Sequence, residues 1–144
     1  EFLTSRLQKI FCFKEFRPGQ IEVIECILNK RHVLSVMPTG QGKSLCFQLP
    51  AVISKSKTIV VAPIISLMND QVSSLNAVGI KCETIHSNKE ISKVKQNLRD
   101  VKLVLSFNKI CKNNIRNEEN RFDVDILEIG MHGIGYAFQK LHFF

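Results

Sequence analysis

The sequence predicts an α/β fold in which a mostly parallel sheet carries helices on both faces. Short, nearly unbroken apolar runs recur at residues 32–37, 57–63 and 101–107, as strands buried on two sides require. Between them, apolar residues return at three- and four-residue intervals, the period of a helix laid against a sheet. With 144 residues, 44% hydrophobic and 23% charged, the chain has the size and balance of a single domain with a packed interior.

Each element has its own warrant. Residues 5–13 place Leu7, Ile10 and Phe11 at helical spacing. Pro18 stands near the first turn of a second helix running to Lys30, where its missing N–H is harmless, and Ile21, Ile24, Ile27 and Leu28 form the apolar side. His32–Met37 reads as a strand. Lys43–Leu49 opens a helix that Pro50 is expected to disturb, since proline removes a backbone donor. Residues 57–63 form the next strand. The following helix carries Leu67, Met68, Val72 and Leu75, with Gly79 suited to end it. A weak strand at 80–86, an exposed helix at 89–100, a strand at 101–107 and a last strand at 122–127 complete the order. The polar run 112–121 reads as a surface loop within one domain.

Bulk properties narrow the function. No apolar run is long enough to span a bilayer and no signal-peptide pattern opens the chain, so neither membrane insertion nor secretion is expected. Cys12, Cys26, Cys46, Cys82 and Cys111 form no C-x-x-C pair and are odd in number, which suits reduced thiols rather than zinc or a disulfide framework. The net charge is +7. Between residues 89 and 116, eight lysines and arginines face only Glu90 and Asp100. Such a stripe suits a polyanion such as nucleic acid, and equally a solvated helix face.

The stretch "MPTGQGKSLCFQLPA", residues 37–51, carries the sharpest chemistry. Glycines at 40 and 42 let backbone N–H groups converge on an anion without Cβ interference, and a helix N-terminus behind them adds partial positive charge. Lys43 can reach the outer phosphates of a nucleotide, and the Ser44 hydroxyl can ligate Mg²⁺. Met37 stands where the first glycine of the strict G-x-x-x-x-G-K-[ST] octet would be. The strand–loop–helix setting favours phosphate binding over an ordinary glycine turn.

Three segments in register, "FRPGQIEVI", "VMPTGQGKSLCFQLPA" and "VVAPIISLMNDQVSSL", resemble consecutive motifs of the RecQ family of superfamily-two DNA helicases. The likeness is dense from about residue 5 to residue 88 and thin beyond. It implies a RecA-like P-loop lobe that binds ATP and Mg²⁺ and works on single-stranded and duplex DNA. Arg17 and Gln20 would read the adenine edge, with Phe13 or Phe16 a candidate platform for the base or simply core. Pro38, Thr39, Gly40, Gln41, Gly42, Lys43 and Ser44 would hold the phosphates, with Lys43 catalytic and Ser44 on the metal. Ser66, Asn69 and Gln71 would touch the single-strand backbone. The resemblance places such an enzyme in a nucleus, or in the cytoplasm of a bacterium.

The same resemblance exposes departures. The family ends a strand with adjacent Asp-Glu, one acid orienting Mg²⁺ and the other the attacking water. Here the region reads "FDVDILEIGMH". With Glu128 as the catalytic glutamate, Leu127 takes the aspartate position; with Asp125 as the aspartate, Ile126 replaces the glutamate. The family's Pro-Glu element appears as Ser106-Phe107-Asn108, and its aromatic-rich loop is reduced to Gly135-Tyr136-Ala137-Phe138. A second RecA-like lobe is not expected within these 144 residues. Two readings result: the ATP-binding lobe of a 3′–5′ helicase, present as a fragment or altered product, or a non-catalytic nucleotide- or DNA-binding decoy. A P-loop kinase or GTPase leaves "FRPGQ" and "SLMNDQV" unexplained.

Overall fold

The computed structural model describes residues 1–38, 40–54, 57–62, 64–86, 103–107, 124–132 and 135–141. The expected exposed helix at 89–100, the 112–121 loop and most of the basic stripe lie outside them. Two helices, α1 (Phe2–Phe11) and α2 (Gln20–Leu28), lead into the short strand β1 (Ser35–Met37). Then come α3 (Lys43–Ile53), β2 (Lys57–Ala62), α4 (Ile65–Ala77), β3 (Cys82–Ile85), β4 (Leu103–Phe107), β5 (Val124–His132) and β6 (Gly135–Leu141).

The six strands form one sheet in the order β1-β6-β5-β2-β4-β3. β2 pairs in parallel with both β4 and β5, and β3 in parallel with β4. The far side differs from expectation. The strand foreseen at 122–127 extends to His132, and the Gly135–Phe138 remnant is no loop but the start of β6, antiparallel to both β5 and β1. Two antiparallel steps cancel, so β1 still points the same way as β5 and β2. The turn after β1 therefore opens at the same end of the sheet as the C-terminal ends of β2, β4 and β5.

Burial explains the layering. Met37, Val60, Ala62 and Leu105 meet Cys46, Phe47 and Ala51 of α3 and Met68 and Leu75 of α4 in one buried cluster. Val61 and Val104 alternate with these along their strands and are buried too, so both faces of the sheet's middle are covered. On the other side of α3, Leu45 and Leu49 join Leu7 of α1 and Ile24 of α2. Helix α3 is thus enclosed almost all round, which its apolar sequence requires.

Pro50 does not disturb α3 as foreseen; the helix continues to Ile53. A proline in a helix interior costs about 3 kcal/mol. Burying one leucine is worth roughly 1.5–3 kcal/mol. With Leu49, Pro50 and Ala51 all buried, packing on two sides outweighs the lost donor.

Gly79 behaves as foreseen. At φ 81° it follows the last turn of α4, its N–H donates to the Asn76 carbonyl at 3.0 Å, and the Ile80 N–H donates to the Leu75 carbonyl at 3.0 Å. Leu75 and Ile80 are packed in the same cluster, completing a Schellman stop. A Cβ at Gly79 would meet nothing within 4 Å, so only backbone conformation opposes a side chain there. Gly79→Ala should lower unfolding free energy by about 1 kcal/mol in a urea titration. An unchanged midpoint would show that this turn is not held left-handed.

Candidate functional site

The candidate site is built where β1 gives way to α3. Met37 ends the strand, Gly42 caps the helix at φ 70°, and Lys43 begins it. Three successive loop carbonyls are held from one side. Arg17 Nη1 donates to the Gly40 carbonyl. Gln20 Nε2 donates to the Gln41 carbonyl at 3.2 Å and to the Gly42 carbonyl at 2.9 Å. Gln20 Oε1 in turn accepts the Arg17 N–H at 2.8 Å. Gln20 is only 2% exposed, so its amide serves the loop rather than solvent.

The clamp has a consequence for the opposite side. In a trans peptide the C=O and the next N–H point in opposite directions, and no peptide here is cis. Holding the carbonyls of Gln41 and Gly42 toward α2 turns the N–H groups of Gly42 and Lys43 away from it. Those hydrogens join the orphan donors of the first turn of α3, a ready anion cradle. Gly42 is favoured by geometry as well as by φ, because a Cβ there would lie 2.7 Å from Gln20 Nε2 and would push that amide off the loop carbonyls.

Lys43 is buried, 9% exposed, and its Nζ donates to the Met37 carbonyl at 3.2 Å, so its side chain bridges the two ends of the loop. Below it, the Cys46 thiol lies 3.9 Å from the Met37 sulfur. Burial pushes this thiol up to about 12, which keeps it neutral and unreactive. Burial, with a smaller push from Glu83, does the same for Cys82.

A cavity of about 390 Å³ adjoins the loop, lined among others by Phe13, Arg17, Gln20, Ser44, Gln48 and Gln71. It sets the two residues foreseen for the base beside the foreseen phosphate and metal residue Ser44. Of the aromatic candidates, Phe13 lines the cavity, 54% exposed and stacked parallel to Phe11 at 6.5 Å. Phe16 instead packs against the α1–α3 cluster.

The residues foreseen for nucleic acid are not brought together. Ser66 and Asn69 are exposed on one face of α4, whereas Gln71 accepts a hydrogen bond from Gln48 Nε2 on the side toward α3. Thr39 lies outside the described residues. Glu128 sits on β5 level with Val61 of β2, with three more strand residues between it and the strand's end at His132. Met37 is level with Tyr136 and so with Met131, three positions past Glu128 and two strands away. Among the described residues no cluster of His, Cys, Asp and Glu could hold a metal. The Ser44 hydroxyl is a hard oxygen donor that fits Mg²⁺ only with phosphate and water completing the shell.

Sequence reasoning missed Gln48 and Ser74 as cavity residues. Gln48 was readable: it lies four residues after Ser44, on the same helix face, and is a lone amide in an apolar stretch.

Residues 17–129 match the family described as DEAD/DEAH box helicase. The chain belongs to that family. Within it, this helicase domain is 46% identical over 85 residues to the ATP-dependent DNA helicase RecQ of Synechocystis sp., a match covering 59% of the chain. It is 43% identical over 89 residues, or 62% of the chain, to ATP-dependent DNA helicase Q1 of Mus musculus. These matches span 18% and 14% of the two relatives' own lengths. A hypothetical ATP-dependent RNA helicase from Sulfolobus tokodaii superposes with TM-score 0.62 at 19% identity, over 86% of this chain and 40% of that one. The DUF1998 helicase MrfA gives TM-score 0.62 at 20% identity, over 82% and 20% of the two chains. The helicase domain thus has the RecA-like α/β fold. None of its described helices is long and apolar enough to cross a membrane.

The clamp generates a contrast between two loop glycines. Both Gly40 and Gly42 have positive φ, yet a Cβ at Gly40 would meet nothing within 4 Å. Gly42→Ala should therefore cost about 1–3 kcal/mol more than Gly40→Ala, the range for forced overpacking. Adding Gln20→Ala should recover part of that difference. Equal costs for the two alanines, read by denaturant unfolding, would show that the Gln20 contact does not form.

Proposed function

We propose that this chain is the ATP-binding lobe of a RecQ-like, ATP-dependent 3′–5′ DNA helicase. The observation that carries the reading is the Arg17–Gln20 clamp, which turns successive loop amides toward the mouth of α3 beside Lys43 and Ser44. In this reading the Gly42 and Lys43 amides and the Lys43 ammonium bind the outer phosphates, with Pro38, Thr39, Gly40 and Gln41 shaping the loop. Lys43 exchanges its bond to the Met37 carbonyl for a phosphate oxygen. Ser44 holds Mg²⁺, which would supply charge neutralisation between the phosphates. The base enters the cavity beside Phe13 with Arg17 at its polar edge. Gln20, whose two amide hydrogens are held by the loop carbonyls, meets adenine only through the remaining lone pair of its Oε1.

DNA binds by its backbone along the exposed face of α4, through Ser66 and Asn69, with the basic 89–116 stripe adding electrostatic attraction. In the full enzyme a second RecA-like lobe closes over the nucleotide, and alternate closing and opening moves the strand. Such an enzyme would act in a nucleus or, in a bacterium, in the cytoplasm. Glu128 is the residue left to position the attacking water.

A second reading is favoured by one observation: Leu127 adjoins Glu128, so no acidic neighbour helps to orient the metal. On that reading the chain binds nucleotide or DNA without hydrolysis, as a decoy for an intact helicase.

One experiment tests both. Lys43→Ala should weaken a fluorescent ATP analogue by about 10- to 150-fold, the worth of a charge-assisted contact of roughly 1.5–3 kcal/mol, with the circular-dichroism spectrum unchanged. Equal affinity of variant and parent would overturn the site. Phosphate release stimulated by single-stranded DNA supports the catalytic lobe, and tight binding without release supports the decoy.

A further inference from the structure

The hydrogen bond from Gln48 Nε2 to Gln71 Oε1 joins α3 to α4 at the wall of the nucleotide cavity. We infer that this amide pair transmits nucleotide occupancy to the exposed face of α4, so that Gln48 and Gln71 are positioning residues for the single strand. The inference rests on the reading above, in which the cavity takes a nucleotide and α4 meets DNA.

Three features of the pair support it. First, both glutamines line the cavity, as does Ser74 one turn further along α4. A ligand there is in reach of α3 and α4 at once. Second, Gln48 is 8% exposed, and a buried amide left unpaired costs more than the bond itself is worth. The pair therefore either stays joined or exchanges partners with a polar group of the ligand, two discrete arrangements rather than a graded loosening. Each amide has further capacity for such an exchange, since an amide offers two donors and an acceptor with two lone pairs. Third, Gln71 shares one continuous 13-residue helix with Ser66 and Asn69, so a shift at Gln71 is carried to both as a rigid movement. The Gln20 amide, by contrast, is spent on Arg17, Gln41 and Gly42 and faces the loop, not α4.

A coupling between two ligands must be reciprocal, and a single neutral hydrogen bond can carry a factor of about two to ten. The test is single-strand affinity of the whole chain, read by anisotropy of a fluorescein-labelled oligothymidylate, with and without saturating Mg²⁺ and the non-hydrolysable analogue AMPPNP. The parent should show an affinity ratio that departs from one by at least twofold. Gln71→Ala and Gln48→Ala should each bring that ratio to within about twofold of one, and the double variant should go no further. Gln71→Glu keeps an acceptor for Gln48 Nε2 and should retain the parent ratio, and it is this ratio, not either affinity alone, that a purely structural role would leave unmoved in the alanine variants. Should Gln48→Ala fail to fold, the pair of Gln71 variants carries the test alone.

Failure takes separable forms. A parent that binds neither AMPPNP nor the oligonucleotide overturns the functional reading and this inference with it. A parent that binds both while its ratio stays at one overturns the inference alone, as does a ratio that survives both alanine substitutions.

Discussion

The arrangement depends on one interaction, the side-chain amide of Gln20 against the backbone of the loop after β1. A loop of this kind is free in solution to turn its peptide planes either way, and only one choice collects N–H groups on a single side. Gln20 and Arg17 make that choice by occupying the carbonyls of Gly40, Gln41 and Gly42. The buried position of Gln20 removes competition from water, so a modest hydrogen bond fixes direction as well as distance. Gly42 answers to the same contact, since its missing Cβ is what lets the amide approach.

The rest of the fold serves to hold the clamp and the loop in register. Gln20 is the first residue of α2, and α2 is fastened to α3 through Ile24 against Leu45 and Leu49. The loop is fastened at its other end through Met37, which packs with Cys46 of α3 and with Val23 and Ile27 of α2. Both ends of the loop and the residue that grips it thus share two adjoining cores. Lys43 then spans the ends through the Met37 carbonyl. Anything that displaced α2 would release the amides, although α2 contributes nothing to the loop's own sequence.

Much of this was legible in the chain, and the limits have physical causes. Periodicity located α2, α3, α4 and the strands around them, because each buries an apolar side, although Ile21, expected on that side of α2, is exposed and Val23 is buried instead. It overstated Pro50, since local propensity cannot register that α3 is enclosed on both sides by cores distant in sequence. It shortened β5 and missed β6, where Gly130, Gly133 and Gly135 interrupt the apolar run and no helix-period segment separates the two strands. At the site, the loop glycines, Lys43 and Ser44 were legible from spacing alone. What Gln20 touches was not, because its partners are carbonyls twenty-one and twenty-two residues away and carry no side-chain signature. The separation of Gln71 from Ser66 and Asn69 was available in principle, being a matter of helical angle. Its bond to Gln48 was not.

The most direct measurement of the central claim is a ¹⁵N-resolved NMR titration of the chain with Mg-ATP. If the clamp aligns the cradle, the backbone amides of Gly42, Lys43 and Ser44 and the side-chain NH₂ of Gln20 will shift together along one binding curve, and Gln20→Ala will abolish the concerted response. Shifts confined to other parts of the chain, or an unaltered response at Gly42 and Lys43 once Gln20 is removed, would contradict it.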